Sequence, residues 1–166
     1  MNLTYRKASL NDLDVICNLI HRAVENMTAC GIYQWDELYP TIDVFKTDIE
    51  KNQLYVGIDD NRIIVVFVIN KESDPEYSDV VWTYSEENYR VLHRLCVDPD
   101  FQGFGIAKST MNYIENLLES QGIASLRLDT FTKNHKALNL YLSMGYKEKG
   151  FVLWRKGKFV FLEKIL

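Results

Sequence analysis

Two glycines, Gly103 and Gly105, follow an apolar run that stops at Pro99, and a helix-like pattern begins directly after them. Glycine lets the backbone approach a ligand closely, and the first turn of a helix leaves N–H groups without intrahelical partners. Such groups suit an anion, because the positive end of the helix dipole adds to the hydrogen-bond donors. The stretch therefore predicts a strand, a tight loop and a helix that bind a phosphate.

The spacing of the glycines excludes two common phosphate loops. A P-loop needs Gly-x-x-x-x-Gly-Lys-Ser/Thr, and Gly103 and Gly105 are too close together. A dinucleotide fingerprint would put its third glycine at Lys108, where close packing requires a small residue. The remaining match is Gln102 to Ala107, which resembles Gln/Arg-x-x-Gly-x-Gly/Ala, the acetyl-CoA diphosphate loop of the GCN5-related N-acetyltransferase (GNAT) superfamily. That resemblance implies that acetyl-CoA is held by Gln102, Gly103, Phe104, Gly105, Ile106, Ala107, Lys108 and Ser109.

The strand before the loop reads Leu95-Cys96-Val97. In the superfamily the pantetheine arm pairs with this strand, so the resemblance implies that Leu95, Cys96 and Val97 contact CoA, with the backbone of Leu95 and Val97 pairing with the arm. Cys96 has no base beside it in the sequence, which favours packing over nucleophilic catalysis.

A second motif begins at Asn134 and ends at Tyr141, seven residues or two helical turns later, so both can face one groove. It resembles Asn-x-x-Ala-x-x-x-Tyr of the superfamily, which implies that Asn134 and Ala137 contact CoA and that the Tyr141 hydroxyl is the general acid. A phenol with a pKa of about 10 can donate to a thiolate whose own pKa is about 8.5.

The sequence does not decide which residue is the general base. Asp129 occupies the position at which ribosomal-protein acetyltransferases of the superfamily carry Glu, and it is interpreted as a base or a substrate anchor, with strand-end solvation as the alternative. His93, by its usual pKa, and Glu37, by its place in an aromatic loop, are further candidates. Arg94 is expected either to bind a substrate carboxylate or to pair with Asp129.

The segment from Gly31 to Pro40 combines aromatic and acidic residues without a clear period. Aromatic walls with carboxylates suit a protonated amine, so this segment is predicted to shape the acceptor pocket. The expected acceptor is an amine-bearing small molecule or peptide. The predicted pocket residues are Gln34, Trp35, Glu37 and Tyr39.

Hydrophobic periodicity predicts the element order β-α-α-β-β-β-α-β-α-β-β, with an excursion at residues 71–88. This order resembles the GNAT fold, an α/β arrangement. The resemblance implies a twisted mixed sheet of about seven strands, splayed between strands four and five, with helices on both faces. The 166 residues, 47% of them hydrophobic, predict a single domain over 1–166.

Charge and composition exclude several partners. A net charge of −4, with no run of Lys and Arg, argues against nucleic acid. No signal-like or membrane-spanning stretch is present, which predicts a cytoplasmic protein with no membrane partner. The three Cys and three His are scattered, so no metal and no disulfide are expected. A monomer or homodimer is expected.

The sequence therefore predicts direct transfer of acetyl from acetyl-CoA to a primary amine in a ternary complex. An acyl-CoA-binding sensor with the same loop is the alternative. A dinucleotide-dependent oxidoreductase is disfavoured by the loop spacing.

Overall fold

The computed structural model describes residues 3–84 and 87–166, and within them it contains seven strands and four α-helices in the predicted order. The elements are β1 (Thr4–Lys7), α1 (Leu13–Ala29), α2 (Ile42–Glu50), β2 (Leu54–Asp59), β3 (Arg62–Asn70), β4 (Tyr89–Val97), α3 (Ile106–Ser120), β5 (Ser125–Phe131), α4 (His135–Ser143), β6 (Lys147–Trp154) and β7 (Gly157–Ile165).

The strands form one seven-stranded sheet in the order β1-β2-β3-β4-β5-β7-β6. β4 and β5 are parallel, with Tyr89 opposite Ser125 and Leu92 opposite Leu128, whereas β1–β2, β2–β3, β5–β7 and β6–β7 are antiparallel. The predicted mixed α/β fold is therefore confirmed. The predicted opening between β4 and β5 beyond Leu92 stays a prediction.

The backbone divides into two compact units, and the prediction of a single domain stays a prediction. The first unit contains Met1–Ile69 and Arg94–Thr110, and the second contains Asn70–His93 and Met111–Leu166.

The core of the first unit forms because α1 carries its apolar residues on one face. Ile16, Leu19 and Ile20 are buried in one cluster with Phe45 of α2 and Val56 of β2. Ser9 and Asp12 form a capping box, and this box turns the predicted start of the helix into a short 3₁₀ turn that precedes α1.

The predicted excursion of the second unit contains a 3₁₀ helix, Pro75–Asp79, and residues 85 and 86 of it lie outside the described residues. Tyr77 of this helix is buried in a cluster with Val91 and Phe161, against which Trp82 packs. Among the described helices, none has the length and hydropathy needed to cross a membrane.

Candidate active site

The diphosphate loop, residues 102–109, joins a short 3₁₀ helix at Pro99–Phe101 to α3. Gly103 and Gly105 have φ values of 85° and 79°, a region that side chains with a Cβ rarely adopt. A Cβ built at either position meets no other atom within 4 Å. Glycine is therefore required at both positions by the backbone conformation, and the space in front of each is open.

The main-chain N–H groups of residues 103–108 find no acceptor among the described residues. Gln102 N–H donates to the Pro99 carbonyl (3.3 Å), and the next backbone donor with a partner is Ser109, bound to the Gly105 carbonyl (3.0 Å). Six consecutive donors at the beginning of a fifteen-residue helix are an arrangement that suits a phosphate.

Asp98 anchors the start of this loop. Its side chain is 1% exposed and accepts from Arg22 Nη2 (2.5 Å), Arg62 Nη2 (2.9 Å) and the Asp100 N–H (3.1 Å). Burial opposes ionisation of Asp98, but the hydrogen bonds from Arg22, Asp100 and Arg62 outweigh it and hold its pKa below the usual range. The Asp98 N–H donates to the Ile64 carbonyl (2.8 Å), which ties the loop entrance to β3.

The residues on either side of the loop form its apolar base. Val97 and Ile106 are buried with Ile64 and Val65, and Leu95, Phe101 and Ala107 pack against this cluster. Phe104, by contrast, is 68% exposed. The cluster fixes the end of β4 and the first turn of α3, so the N–H groups between them are held by packing on both sides.

Gln102, a predicted CoA contact, is hydrogen-bonded within the protein. Gln102 Nε2 donates to the Val97 carbonyl (3.3 Å), and its Oε1 accepts from Asn26 Nδ2 (3.4 Å). Lys108 is exposed, as is Ser109. Cys96 is buried, and burial raises the pKa of its thiol to about 12, so it carries no reactive thiolate at neutral pH. The prediction that Cys96 packs rather than reacts agrees with this environment.

Arg94 has a φ of 53° in the middle of β4, and its guanidinium is nearly buried (10% exposed). Nη2 lies 2.6 Å from Asp48 Oδ2, and Nη1 donates to the Tyr39 hydroxyl (2.7 Å), while the buried Nε has no hydrogen-bond partner. Asp48, on α2, is thus the carboxylate that pairs with Arg94, where the sequence offered Asp129. This contact joins Arg94 to the predicted acceptor segment through Tyr39.

The rest of the acceptor segment lies in a tight turn, in which Asp36 and Tyr39 pair across the backbone. Trp35 packs against the apolar core of the first unit, Gln34 is half-buried and Glu37 is exposed. A base role for Glu37 therefore has no support from burial or from a described partner.

In the second unit, Tyr141 of α4 is 7% exposed, and its ring lies 5.8 Å from that of Tyr146. Burial raises the pKa of the Tyr141 phenol, and the negative charge of Asp129 raises it further. The phenol is therefore protonated throughout the neutral range and has a proton to donate.

Asp129, on β5, accepts a hydrogen bond from the Tyr77 hydroxyl (Oη to Oδ2, 2.7 Å). Tyr77 lies 52 residues away in sequence and was missed, because a tyrosine in an irregular acidic segment carries no spacing that points to a strand end. Tyr77, Asp129 and Tyr141 are called the acid–base cluster below.

Two other predicted site residues have defined partners in the same unit. His93 Nε2 lies within hydrogen-bond distance of Asn70 Oδ1 (3.0 Å) and of the Glu72 carbonyl (2.9 Å). A carbonyl can only accept, so Nε2 carries the proton and only Nδ1 could act as a base. Asn134 caps α4, with Oδ1 accepting from the Ala137 N–H (3.2 Å).

Metal ligation has no candidate in residues 3–84 and 87–166, where no group of three or more His, Cys, Asp or Glu side chains could hold an ion. Cys17, Cys30 and Cys96 are free.

A family model described as the Acetyltransferase (GNAT) family matches residues 20–146, more than half of the chain. The chain belongs to the GNAT family. The matched range includes the diphosphate loop and Tyr77, Asp129 and Tyr141.

Individual GNAT proteins resemble the chain to different extents. The ribosomal protein bS18-alanine N-acetyltransferase of Escherichia coli strain K12 is 35% identical over 57 residues, which are 34% of this chain and 38% of that protein. The match thus spans well under two thirds of that relative. A GNAT acetyltransferase crystal structure from Streptococcus agalactiae 2603 superposes with a TM-score of 0.86 at 25% identity, covering 99% of this chain and 95% of that one.

A further GNAT structure was solved with coenzyme A bound. The PaiA N-acetyltransferase of Thermoplasma acidophilum, solved in complex with coenzyme A, has a TM-score of 0.74 and 17% identity, with 100% of both chains covered. At that identity the likeness extends to the fold alone.

Proposed function

We propose that this GNAT protein transfers an acetyl group from acetyl-CoA to a primary amine. The observation that carries the proposal is the run of six main-chain N–H groups, residues 103–108, that have no acceptor in the described residues and lie at the beginning of α3. A diphosphate meets several donors there and the positive end of the helix dipole.

The rest of acetyl-CoA is proposed to extend from this loop along β4. Backbone groups of Leu95 and Val97 would pair with the pantetheine arm as an added strand does. Asn134 and Ala137 would contact the same arm at the beginning of α4. Phe104, between the two glycines, is exposed, where it could cover bound nucleotide.

The chemical step is nucleophilic attack of the neutral amine on the acetyl carbonyl carbon. The tetrahedral intermediate collapses, the carbon–sulfur bond breaks, and the products are the N-acetyl amide and the CoA thiolate. One proton leaves the attacking nitrogen, and Asp129 is proposed to accept it directly or through a water molecule. The proton count closes when the thiolate is protonated.

Tyr141 is proposed to stabilise the leaving thiolate by donating a hydrogen bond. Because burial and Asp129 raise the pKa of the phenol above its usual value of about 10, complete transfer to a thiolate of pKa about 8.5 is unfavourable. The phenol therefore lowers the energy of the developing negative charge, and solvent supplies the final proton after release. This refines the general-acid role predicted from the motif.

An α-amine is the acceptor that makes the smallest demand on the base. Its pKa of about 8 leaves part of it neutral at pH 7, whereas deprotonating a lysine amine of pKa near 10.4 costs about 3 kcal/mol more. The curated relative from E. coli acts on a ribosomal protein alanine by its name, which also favours an α-amine, and Arg94 with Tyr39 would line the acceptor side.

Thiol release from acetyl-CoA, measured with a panel of amines, tests this function. The panel contains alanine-initiated peptides, free amino acids, polyamines and aminoglycosides, with each reaction repeated on the Gly105→Val variant. Acceptor-dependent release by the wild type and none by the variant supports the proposal. CoA binding with no acceptor-dependent release from any amine would contradict it and favour the acyl-CoA sensor.

A further inference from the structure

We infer that Tyr77 is a positioning residue, which holds the Asp129 carboxylate in the orientation that accepts the proton of the acceptor amine. The inference rests on the proposed function, because it takes the role of Asp129 from there. Tyr77 touches neither acetyl-CoA nor the amine in this account, and it acts through Asp129.

The contact between the two side chains has the geometry of a strong hydrogen bond. The Tyr77 hydroxyl donates to Asp129 Oδ2 at 2.7 Å, and Tyr77 is 4% exposed. A hydrogen bond from a neutral hydroxyl to a carboxylate is charge-assisted and directional, so it restricts rotation of the carboxyl group. A carboxylate that is already held in the reactive orientation loses less conformational entropy on reaching the transition state than a freely rotating one does.

Tyr77 itself is fixed by its neighbours. Its ring lies edge-on to Phe161 of β7 (centroids 4.8 Å apart, 71°) and stacks on Trp82 (5.5 Å, 27°). Trp82 Nε1 donates to the Tyr77 carbonyl (3.0 Å), which fixes the backbone of the same residue. The phenol thus has little freedom to move away from Asp129.

The segment that carries Tyr77 and Trp82 is in turn anchored to the sheet by Glu163 of β7. The Glu163 carboxylate, 1% exposed, accepts from the N–H groups of Thr83 (2.7 Å) and Tyr84 (3.3 Å) and from the Ser125 hydroxyl (3.0 Å). Burial opposes ionisation of Glu163, but these hydrogen bonds hold its pKa below the usual range. An ionised carboxylate therefore binds two successive N–H groups just after Trp82.

Arg127 of β5 completes the anchor. Its guanidinium lies between the rings of Tyr89 (3.8 Å to the centroid) and Trp82 (4.5 Å), and Nη2 donates to the Tyr84 carbonyl (2.5 Å). Burying an ion pair such as Arg127–Glu163 (3.6 Å) is costly unless its geometry is satisfied. Arg127 Nε, the atom nearest Glu163, has no hydrogen-bond partner among the described residues, and burial lowers the pKa of the guanidinium. The contacts of Arg127 with the Trp82 ring and the Tyr84 carbonyl, rather than the ion pair, therefore hold the segment that presents Tyr77.

A purely structural tyrosine would make the same ring contacts, so the experiment must separate the two roles. Tyr77→Phe keeps the ring against Phe161 and Trp82 and removes only the hydroxyl, which preserves folding. Tyr55→Phe is the matched control, because Tyr55 also stacks on a neighbouring ring, that of Phe67 (5.2 Å), and has no part in the proposed chemistry.

The test is a double-mutant cycle on single-turnover rates with Tyr77→Phe, Asp129→Asn and the combined variant, with the KM for acetyl-CoA as a second readout. Tyr77→Phe is expected to lower the rate about 10-fold with an unchanged KM, as removal of one hydrogen bond to a charged group does. In the Asp129→Asn background the same substitution is expected to change the rate less than twofold.

Equal fractional losses in both backgrounds would overturn the inference, as would a wild-type rate in Tyr77→Phe or a loss shared by Tyr55→Phe. In each of these cases the wild type still shows acceptor-dependent turnover, so the inference about Tyr77 is rejected and the proposed function is retained. Absence of acceptor-dependent turnover in the wild type would overturn the proposed function and this inference together.

Discussion

The diphosphate loop and the acid–base cluster differ in the atoms that they present. The loop offers main-chain N–H groups, and its side chains either point into the apolar base, as Ile106 does, or are exposed, as Phe104 is. The acid–base cluster offers a phenol and a carboxylate, Tyr141 and Asp129, whose protonation depends on their surroundings.

The two regions are also anchored differently. Asp98 holds the loop through two arginines, Arg22 and Arg62, that are 39% and 48% exposed. Glu163, which is 1% exposed as Asp98 is, holds the segment that carries Tyr77 through the backbone N–H groups of Thr83 and Tyr84. If the proposed function holds, binding should depend on backbone conformation and tolerate most side-chain changes, whereas chemistry should depend on individual side chains. Substitutions should therefore divide into those that change KM and those that change kcat.

The largest effect is expected for Gly105→Val. A β-branched residue is strained at a φ of 79°, and its side chain adds bulk within the loop that carries the N–H groups. Loss of two hydrogen bonds to a charged diphosphate corresponds to at least about 100-fold weaker binding of CoA. Isothermal titration calorimetry with CoA measures this loss of affinity.

Gly122→Val provides the control, because Gly122 has a φ of 70°, ends α3 and also has open space at its Cβ position. Both variants carry the same backbone strain, so equal losses of CoA affinity would show that strain alone explains the effect.

Tyr141→Phe is expected to lower kcat about 100-fold and to leave the KM for acetyl-CoA unchanged, in the usual range for a positioned donor. Because the phenol pKa is raised, wild-type kcat should also show no decline from loss of this proton up to pH 10. Steady-state kinetics from pH 6 to 10 measure both. A decline with an apparent pKa near 9 that disappears in Tyr141→Phe would assign the phenol a lowered pKa and contradict the account.

Asp98→Asn should raise the KM for acetyl-CoA about 10-fold with little change in kcat, since it leaves the loop entrance with weaker hydrogen bonds to Arg22 and Arg62. Asp100→Asn is the matched control. Asp100 contacts the same two arginines but is 61% exposed, and exposed pairs contribute little. A change in kcat rather than KM in Asp98→Asn would contradict the division into a loop that affects KM and a cluster that affects kcat.

The smallest effect on turnover, a few-fold at most, is expected for Glu163→Gln, because glutamine keeps one acceptor for the N–H groups of Thr83 and Tyr84. Its effect on stability should depend on pH. The folded-state pKa of Glu163 is lowered, so its stabilisation is present above the unfolded value of about 4.3 and is lost as the pH falls through the folded value.

Urea unfolding of the wild type and Glu163→Gln should therefore give a constant difference in unfolding free energy from pH 7 to 5, which shrinks at lower pH. Glu148→Gln, an exposed position on β6, is the control. A difference that grows on acidification would mean that the carboxylate is destabilising in the folded protein.

The element order and the tight loop before α3 could be predicted because their signals are local. Gly103 and Gly105 mark the loop by spacing alone, and the apolar faces of α1 and α3 have a helical period. Asp98 also had a local signal that was not used, since it stands directly before Pro99 at the entrance of the loop.

The partners of the charged residues could not be predicted, because they are distant in sequence. Arg94 pairs with Asp48, and Asp129 with Tyr77, across strand and helix packing that no period encodes. The positive φ of Arg94 is equally absent from the sequence, because an arginine within an apolar strand predicts ordinary extended backbone. The fold was therefore predictable from the sequence, the role of residues 102–109 stays a prediction, and the contacts of Arg94 and Asp129 were not predictable.

The most direct test of the account is amide NMR of the ¹⁵N-labelled protein, titrated in parallel with CoA, ADP and pantetheine. The account predicts that CoA and ADP, which carry a diphosphate, shift the N–H resonances of residues 103–108 downfield, and that pantetheine, which lacks it, leaves them unchanged. Saturating CoA with unshifted amides at Gly103 to Lys108 would contradict the central claim.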